Sequence, residues 1–249
     1  MAAKLGLDAA QQMLAQRIVL ATPFARNRLP FPRLVRNRVT EIPHGIDTQH
    51  YSAARAQDDP APRDCSVLYV GLVMPHKGIH VLLEAFDIVH RSLPKAKLII
   101  VGTGPMEGTA GRYAERAGWS SQLELVGSVE HDRIPGWLRS CSLLCSTALG
   151  EPFGQTILEA LACGRPIIVN DSGGPRYIVA GTDNPVVPMG DAEALASAIV
   201  SLLENDDLCR RLGAENRLVA ERRFAWPRVV DQLEEAYREV LRSANGPAT

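Results

Sequence analysis

The sequence predicts an α/β fold, a Rossmann-like doubly wound parallel sheet followed by further C-terminal helices. Three observations carry that prediction. From Cys65 onward, short apolar runs rich in β-branched residues alternate with amphipathic stretches. The runs show no in-and-out alternation, as befits strands covered on both faces and joined by helical connections. Several of them stop at a glycine or a small residue (Gly71, Gly102, Gly127, Ser146), where the backbone must turn sharply or let a ligand come close.

Taken in order, strands are expected at 66–71, 97–102, 123–127, 142–146, 166–170 and 185–188. Helices are expected between them at 78–92, 108–118, 132–140, 154–163 and 191–205. Residues 206–244 read as two further helices hinged near Trp226-Pro227, with Pro227 suited to the first turn of the second. In a sheet of this kind the ligand lies at the carboxyl ends of the strands. The first forty or so residues differ: a helix at 5–16, a short strand at 17–21, then an arginine-rich irregular piece ending at Pro43.

Composition narrows the function. The chain has 249 residues and a net charge of -1, which disfavours binding driven by nucleic-acid phosphates. Aromatics make up only 5%, too few for a stacking platform along single strands. The five cysteines lack paired CxxC spacing and read as reduced core thiols, consistent with a cytoplasmic location. No apolar run approaches the ~20 residues of a membrane span, and no signal-peptide pattern follows Lys4.

The most informative stretch is Glu151-Pro-Phe-Gly-Gln-Thr-Ile-Leu-Glu159. A helix opening at Gly154 would aim unpaired N–H groups and the positive end of its dipole at an anion such as phosphate. Glu159 falls in the second turn, opposite Ile157 and Leu161 if those two are buried. One carboxylate before the helix and one inside it can reach hydroxyl groups on both sides of a bound diphosphate. A sugar nucleotide presents that arrangement.

From Val19 to Leu241 the chain resembles the nucleotide-sugar-dependent retaining glycosyltransferases of family four, which have the GT-B architecture. The resemblance rests on an ordered set of motifs: Ile42-Pro-His-Gly-Ile-Asp47, Tyr69-Val-Gly-Leu-Val-Met-Pro-His-Lys-Gly78, Ile100-Val-Gly-Thr-Gly-Pro105, Leu125-Val-Gly-Ser-Val129, Glu151 to Glu159, and Phe224-Ala-Trp226. It implies the C-terminal, donor-binding half of that fold over residues 43–249, with residues 1–42 a remnant of the N-terminal acceptor domain and linker. It also implies a donor site: Gly71 and Lys77 at the diphosphate, Glu151, Pro152, Phe153 and Gly154 at the transferred sugar and distal phosphate, Glu159 at the ribose. Gly127, Ser128 and Val129 would contact the base through the main chain. Glu151 and Lys77 are the catalytic candidates, because a cation and a helix start stabilise the departing nucleoside diphosphate. The family works without a divalent metal or other cofactor, so the nucleoside diphosphate sugar is expected to be the only small-molecule partner besides an acceptor.

The chain departs from the family pattern at three positions. Leu72 stands where an Arg is usual, Tyr177 where a Glu is frequent, and His44 where Asn is usual. The short N-terminal region predicts a truncated or split enzyme, served by a partner chain that carries the acceptor domain. The leading function is transfer of a hexosyl unit with retention at the anomeric carbon; the alternative is a non-catalytic sugar-nucleotide-binding subunit or module. A dinucleotide-binding oxidoreductase fits poorly, since Gly71-Leu-Val-Met-Pro-His-Lys-Gly78 lacks the Gly-x-Gly-x-x-Gly spacing and no acidic residue ends the second strand.

Other features have simpler explanations. Gly102 and Gly104 read as turn glycines, and Asp132 and Arg133 as a helix start. His76 and His80 have the i,i+4 spacing of zinc ligands, but no third ligand accompanies them, so no metal site is expected. The arginines between Arg17 and Arg38 offer a surface to anionic lipid, yet facing solvent or an absent domain explains them better than peripheral membrane contact.

Overall fold

The computed structural model describes residues 13–54 and 56–244. Most of the helix expected at 5–16 lies outside the described residues. The main sheet has six strands: β3 (Ser66–Val70), β4 (Lys97–Val101), β5 (Leu123–Gly127), β6 (Leu143–Ser146), β7 (Ile167–Asn170) and β8 (Val186–Val187). Their spatial order is β5-β4-β3-β6-β7-β8, and every pairing is parallel. Chain order therefore reverses between β3 and β6, which opens a crevice at their carboxyl ends.

The central strands owe their place to burial on both faces. Leu98, Ile99, Ile100, Ile167, Ile168 and Val169 are all inaccessible to solvent. Alternate residues feed two cores: Val67, Leu98, Ile100 and Ile168 on one side, Leu68, Ile99, Ile167 and Val169 on the other. The expectation of two-sided burial fails at β5, an edge strand whose residues stay partly open, with Leu125 40% exposed. An edge has one covered side fewer.

Helices α2 (Ile79–Ser92), α3 (Glu107–Ala117), α4 (Ile134–Ser140), α5 (Gln155–Ala162) and α7 (Ala192–Leu203) follow successive strands, as expected to within two residues. One helix was not expected, α6 (Gly173–Val179), which opens Gly-Gly-Pro. At the C-terminus, α8 (Asp206–Val219) runs through a widened turn at Ala220–Phe224 into α9 (Trp226–Ala244), with Pro227 in its first turn. Before the main sheet, β1 (Ile18–Leu20) pairs in parallel with β2 (Val39–Glu41) as a separate two-stranded sheet, with a short helix α1 (Pro32–Val35) between them.

Glycines let loops at the carboxyl edge touch backbone to backbone. Gly102 has φ +135°, and a Cβ there would lie 1.9 Å from the Gly71 carbonyl oxygen. Gly104 meets the Val73 carbonyl in the same way, at 2.3 Å. Both are structural, as the sequence indicated. Gly102→Ala is expected to lower unfolding free energy by about 2–4 kcal/mol, through overpacking on top of the conformational strain. Gly118→Ala, at φ +81° with open space around it, should cost only about 1–2 kcal/mol. Urea denaturation of both variants checks this; equal losses would show that the close approach carries no energy.

Candidate donor-binding site

The crevice where strand order reverses is a cavity of about 300 Å³. Its walls are the ends of β3 and β6, the loops that follow them, and the first turn of α5; Tyr69, Gly71, Leu72, Lys77, Glu151 and Gly154 all line it. Four of the expected donor residues, Gly71, Lys77, Glu151 and Gly154, thus converge on one space.

Each arrives there for a local reason. Gly71 and Leu72 leave β3 in a turn closed by the Tyr69 hydroxyl, which donates to the Leu72 carbonyl at 2.7 Å. Burial and nearby Glu151 push the Tyr69 phenol well above its ordinary range, so it stays a neutral donor. Lys77 ends a tight helical turn, Pro75–Lys77, that Gly78 terminates in the left-handed conformation. A Cβ on Gly78 would come within 2.1 Å of the Thr147 carbonyl oxygen, and the Thr147 hydroxyl donates to the Lys77 carbonyl at 2.9 Å. The loops after β3 and β6 are locked together by these contacts. Gly78 also separates His76 from His80, so that pair does not share one helix face. Among the described residues no group of His, Cys, Asp and Glu is arranged to hold a metal ion.

The loop carrying Glu151 is anchored through its carbonyls. Thr22 donates to Pro152 O at 3.0 Å, the Gly174 amide to Glu151 O at 3.2 Å, Arg28 to Gly150 O at 3.2 Å, and Asn170 to Ala148 O at 2.8 Å. Phe153 is buried, and its outer face is covered by the His44 ring at 4.4 Å. Phe153 therefore supports the loop, and only its backbone remains for a ligand; Pro152 is exposed, has no N–H, and its carbonyl is already taken by Thr22. Gly154, at φ +106°, starts α5, and no side chain caps that start. Its first N–H groups are left for an anion.

Lys77 Nζ lies 2.7 Å from Glu151 Oε2 in a half-buried ion pair. At the mouth, Leu72 is 54% exposed. Tyr177 packs edge-on against Phe224 with the Arg223 guanidinium over its ring, so it takes no place in the cavity. The arginines of the N-terminal segment are largely engaged within the protein: Arg17 with Glu239, Arg26 with Glu41, and Arg38 with the carbonyls of Met13 and Ala15.

The remaining expected residues lie towards β5. Gly127, at φ +79°, ends that strand and accepts the Gly102 amide at 2.7 Å; Ser128 and Val129 continue the loop, with Ser128 exposed. Glu159 sits on α5, opposite Ile157 and Leu161, but is not an exposed helix glutamate. From Ile157 to Ala162 the whole helix is buried, and Glu159 is 3% exposed. Burial raises its carboxyl above the ordinary range, while His131 and Tyr51 pull it partly back. Sequence reasoning missed Thr22, Tyr51, His131, Asn170 and Gly174. The Gly-Gly pair at 173–174 is the one signal that could have pointed to a close approach.

A six-stranded parallel sheet with this order, and a cation beside an uncapped helix start at its switch point, define a Rossmann-like α/β protein of the glycosyltransferase kind. The chain belongs to the family of glycosyl transferases group 1, whose model matches residues 53–219. It is 32% identical over 213 residues to a phosphatidyl-myo-inositol mannosyltransferase of Mycobacterium tuberculosis, covering 82% of this chain and 54% of the relative. A D-inositol 3-phosphate glycosyltransferase of Segniliparus rotundus is 28% identical over 82% of this chain and 48% of its own length. The chain thus spans about half the length of the curated relatives it matches. In fold it is similar to Anabaena Alr3699/HepE, solved with UDP and glucose, at TM-score 0.82 and 20% identity over 95% of this chain and 67% of that one. A sucrose-phosphate synthase of Thermosynechococcus elongatus superposes at TM-score 0.79 and 24% identity over 98% of this chain and 63% of that one. The fold is the Rossmann-like half of a GT-B glycosyltransferase.

The raised Glu159 carboxyl has a consequence for stability. A group that holds its proton more tightly when folded contributes stability at low pH, and that contribution is lost as pH rises through its raised folded value. Glu159→Gln is therefore expected to melt at or above the temperature of the parent at about pH 8, with the gap closing towards about pH 4. Thermal melts across that range check it. A variant markedly less stable at the upper end would show that the carboxylate holds the fold together instead of being held for a ligand.

Proposed function

We propose that this chain binds a nucleoside diphosphate sugar and serves the transfer of its hexosyl group, with retention at the anomeric carbon, to an acceptor held by another part of the enzyme. The observation that carries the proposal is the Lys77–Glu151 pair in front of the uncapped start of α5, inside the switch-point cavity. A departing diphosphate gains negative charge as the glycosidic bond breaks. Lys77 and the α5 N–H groups are placed to receive it. With the phosphate on Lys77, Glu151 is released to accept hydrogen bonds from sugar hydroxyls. Gly71 adds a backbone without a side chain at the phosphates. Glu159 would take the ribose hydroxyls, and the Gly127–Val129 main chain the base.

Two comparisons support this reading. The relatives named above carry mannosyltransferase and glycosyltransferase names, and a neighbour in fold was solved with UDP and glucose. Leu72 leaves Lys77 as the side-chain cation lining the cavity, so the donor's charge rests on Lys77 and the helix start. No divalent metal enters this scheme, and transfer is expected to continue in the presence of a chelator.

Calorimetric titration with the uridine, guanosine and adenosine diphosphates and their sugars tests the donor site. Binding of one of them is expected. Lys77→Ala should weaken it about 10- to 100-fold, the worth of a charge-assisted contact, while binding of the matching nucleoside changes little. Absence of binding to every diphosphate, or an equal loss for nucleoside and diphosphate, would overturn the assignment. The anomeric configuration of any transfer product, read by NMR, checks retention.

A further inference from the structure

One main-chain group at the switch-point cavity is left over from the framework around it. Strand β3 lies between β4 and β6, and the chain leaves it through Gly71 and Leu72. The Gly71 carbonyl oxygen faces the end of β4, since a Cβ on Gly102 would come within 1.9 Å of it. In a trans peptide the N–H points opposite to the C=O. The Leu72 N–H therefore points away from β4, towards β6 and the cavity that Leu72 lines. The amides on either side of it are both used. That of Gly71 donates to the Val101 carbonyl at 3.0 Å, and that of Val73 to the Thr103 carbonyl at 2.9 Å. Among the described residues the Leu72 N–H has no partner.

Its carbonyl, by contrast, is held twice. It accepts the Tyr69 hydroxyl at 2.7 Å and the Met74 amide at 3.0 Å. With the Gly71 carbonyl against Gly102 and the Leu72 carbonyl on these two donors, both peptide planes that meet at Leu72 are set, and the direction of the N–H follows. Tyr69 brings a side chain to this task from the core, where it is 4% exposed and packs in the cluster that holds Val67 and Ile100. A phenylalanine ring would fill the same space without the cost of burying a hydroxyl. The hydroxyl serves the loop instead of the core. It serves a loop that offers the cavity no side-chain charge, because Leu72 is apolar and Lys77 supplies the cation. An oriented backbone N–H is a source of positive potential that needs no side chain.

We propose that the Leu72 N–H is a main-chain donor to the anion bound in the cavity, and that Tyr69 is the positioning residue that aims it. The proposal rests on the donor-site reading above and deepens it: at position 72 the chain grips the diphosphate with backbone. Lys77 supplies charge, and the Leu72 N–H supplies direction, since a hydrogen bond weakens steeply away from linearity. Without the Tyr69 hydroxyl the Leu72 carbonyl keeps one donor, the peptide can rock, and the N–H is aligned with the phosphate for less of the time. The ring still fills its place in the core.

Calorimetric titrations of the whole chain with uridine, guanosine and adenosine diphosphates and the matching nucleosides test this. The sharpest variant carries leucic acid in place of leucine at position 72, which exchanges the N–H for an ester oxygen and keeps the side chain. It is expected to bind the diphosphate about tenfold more weakly, with nucleoside binding unchanged. Tyr69→Phe should lose about threefold for the diphosphate and nothing for the nucleoside, with a melting temperature close to the parent's. In the ester-bearing chain the same Tyr69 change should cost nothing further, because Tyr69 acts through that N–H. An ester-bearing chain with full diphosphate affinity overturns the donor. A Tyr69→Phe chain that keeps full affinity, loses nucleoside and diphosphate equally, or loses as much again in the ester-bearing chain overturns the positioning role. If Lys77→Ala weakens the diphosphate while the ester does not, the Leu72 assignment is wrong and the donor site stands; if the unaltered chain binds no diphosphate, both fall.

Discussion

The site depends on backbone meeting backbone where the strand order reverses. Gly78 lets the loop after β3 rest on the Thr147 carbonyl, Gly102 lets the next loop rest on Gly71, and Gly174 lets α6 rest on Phe153. At each point a single Cβ would fall within about 2.5 Å of a backbone atom, well inside van der Waals contact. Pushing any of these loops apart would move Lys77 and Glu151 relative to the helix start. Misplacement by an ångström is enough to degrade a positioned reaction severely. The glycines therefore set the geometry of the cavity, although none supplies a functional group.

The two glutamates of one motif live in opposite environments. Glu151 is half-buried and balanced by Lys77 at 2.7 Å, so its charge is neutralised before a ligand enters. Glu159 is buried, with an imidazole at 3.9 Å and a phenol as its neighbours. Environments that differ in this way assign different work to like groups. The first suits exchange between a cation and a sugar. The second suits a rigid acceptor of hydroxyl donors, since a desolvated carboxylate forms strong hydrogen bonds.

Most of the sheet was legible because burial on both faces writes itself as uninterrupted apolar runs such as Lys97-Leu-Ile-Ile-Val101 and Ile167-Ile-Val. Helix α6 was not legible. Its Gly-Gly-Pro opening looks like a loop, yet Pro175 is tolerated in a first turn, and Gly173 and Gly174 are needed small against Phe24 and Phe153. Strand β2 has three residues and a single neighbour, too little for any period to show. Within the site, Glu151, Gly154 and Glu159 stood out by spacing, and Lys77 through the family resemblance. Thr22 did not, because its bond to Pro152 spans 130 residues of sequence. Tyr51 and His131 were hidden for the same reason, 80 residues apart.

Buried polar groups elsewhere in the chain show why Glu159 is different. Asn184 and Asn216 are also buried, but they bond one another, and their remaining atoms close on the Ile167 amide and the Arg165 carbonyl. That network joins β7 to α8 and is complete without a ligand. Glu159 occupies the one polar position of a stretch, Ile157 to Ala162, that is otherwise Ile, Leu and Ala and buried all round. An apolar side chain would suit that place better, and its carboxyl is raised in consequence. Its network ends at an exposed imidazole instead of closing on backbone. A residue that breaks the local rule and leaves its neighbour open to solvent is a candidate for contact with a ligand, the role proposed above for the ribose hydroxyls.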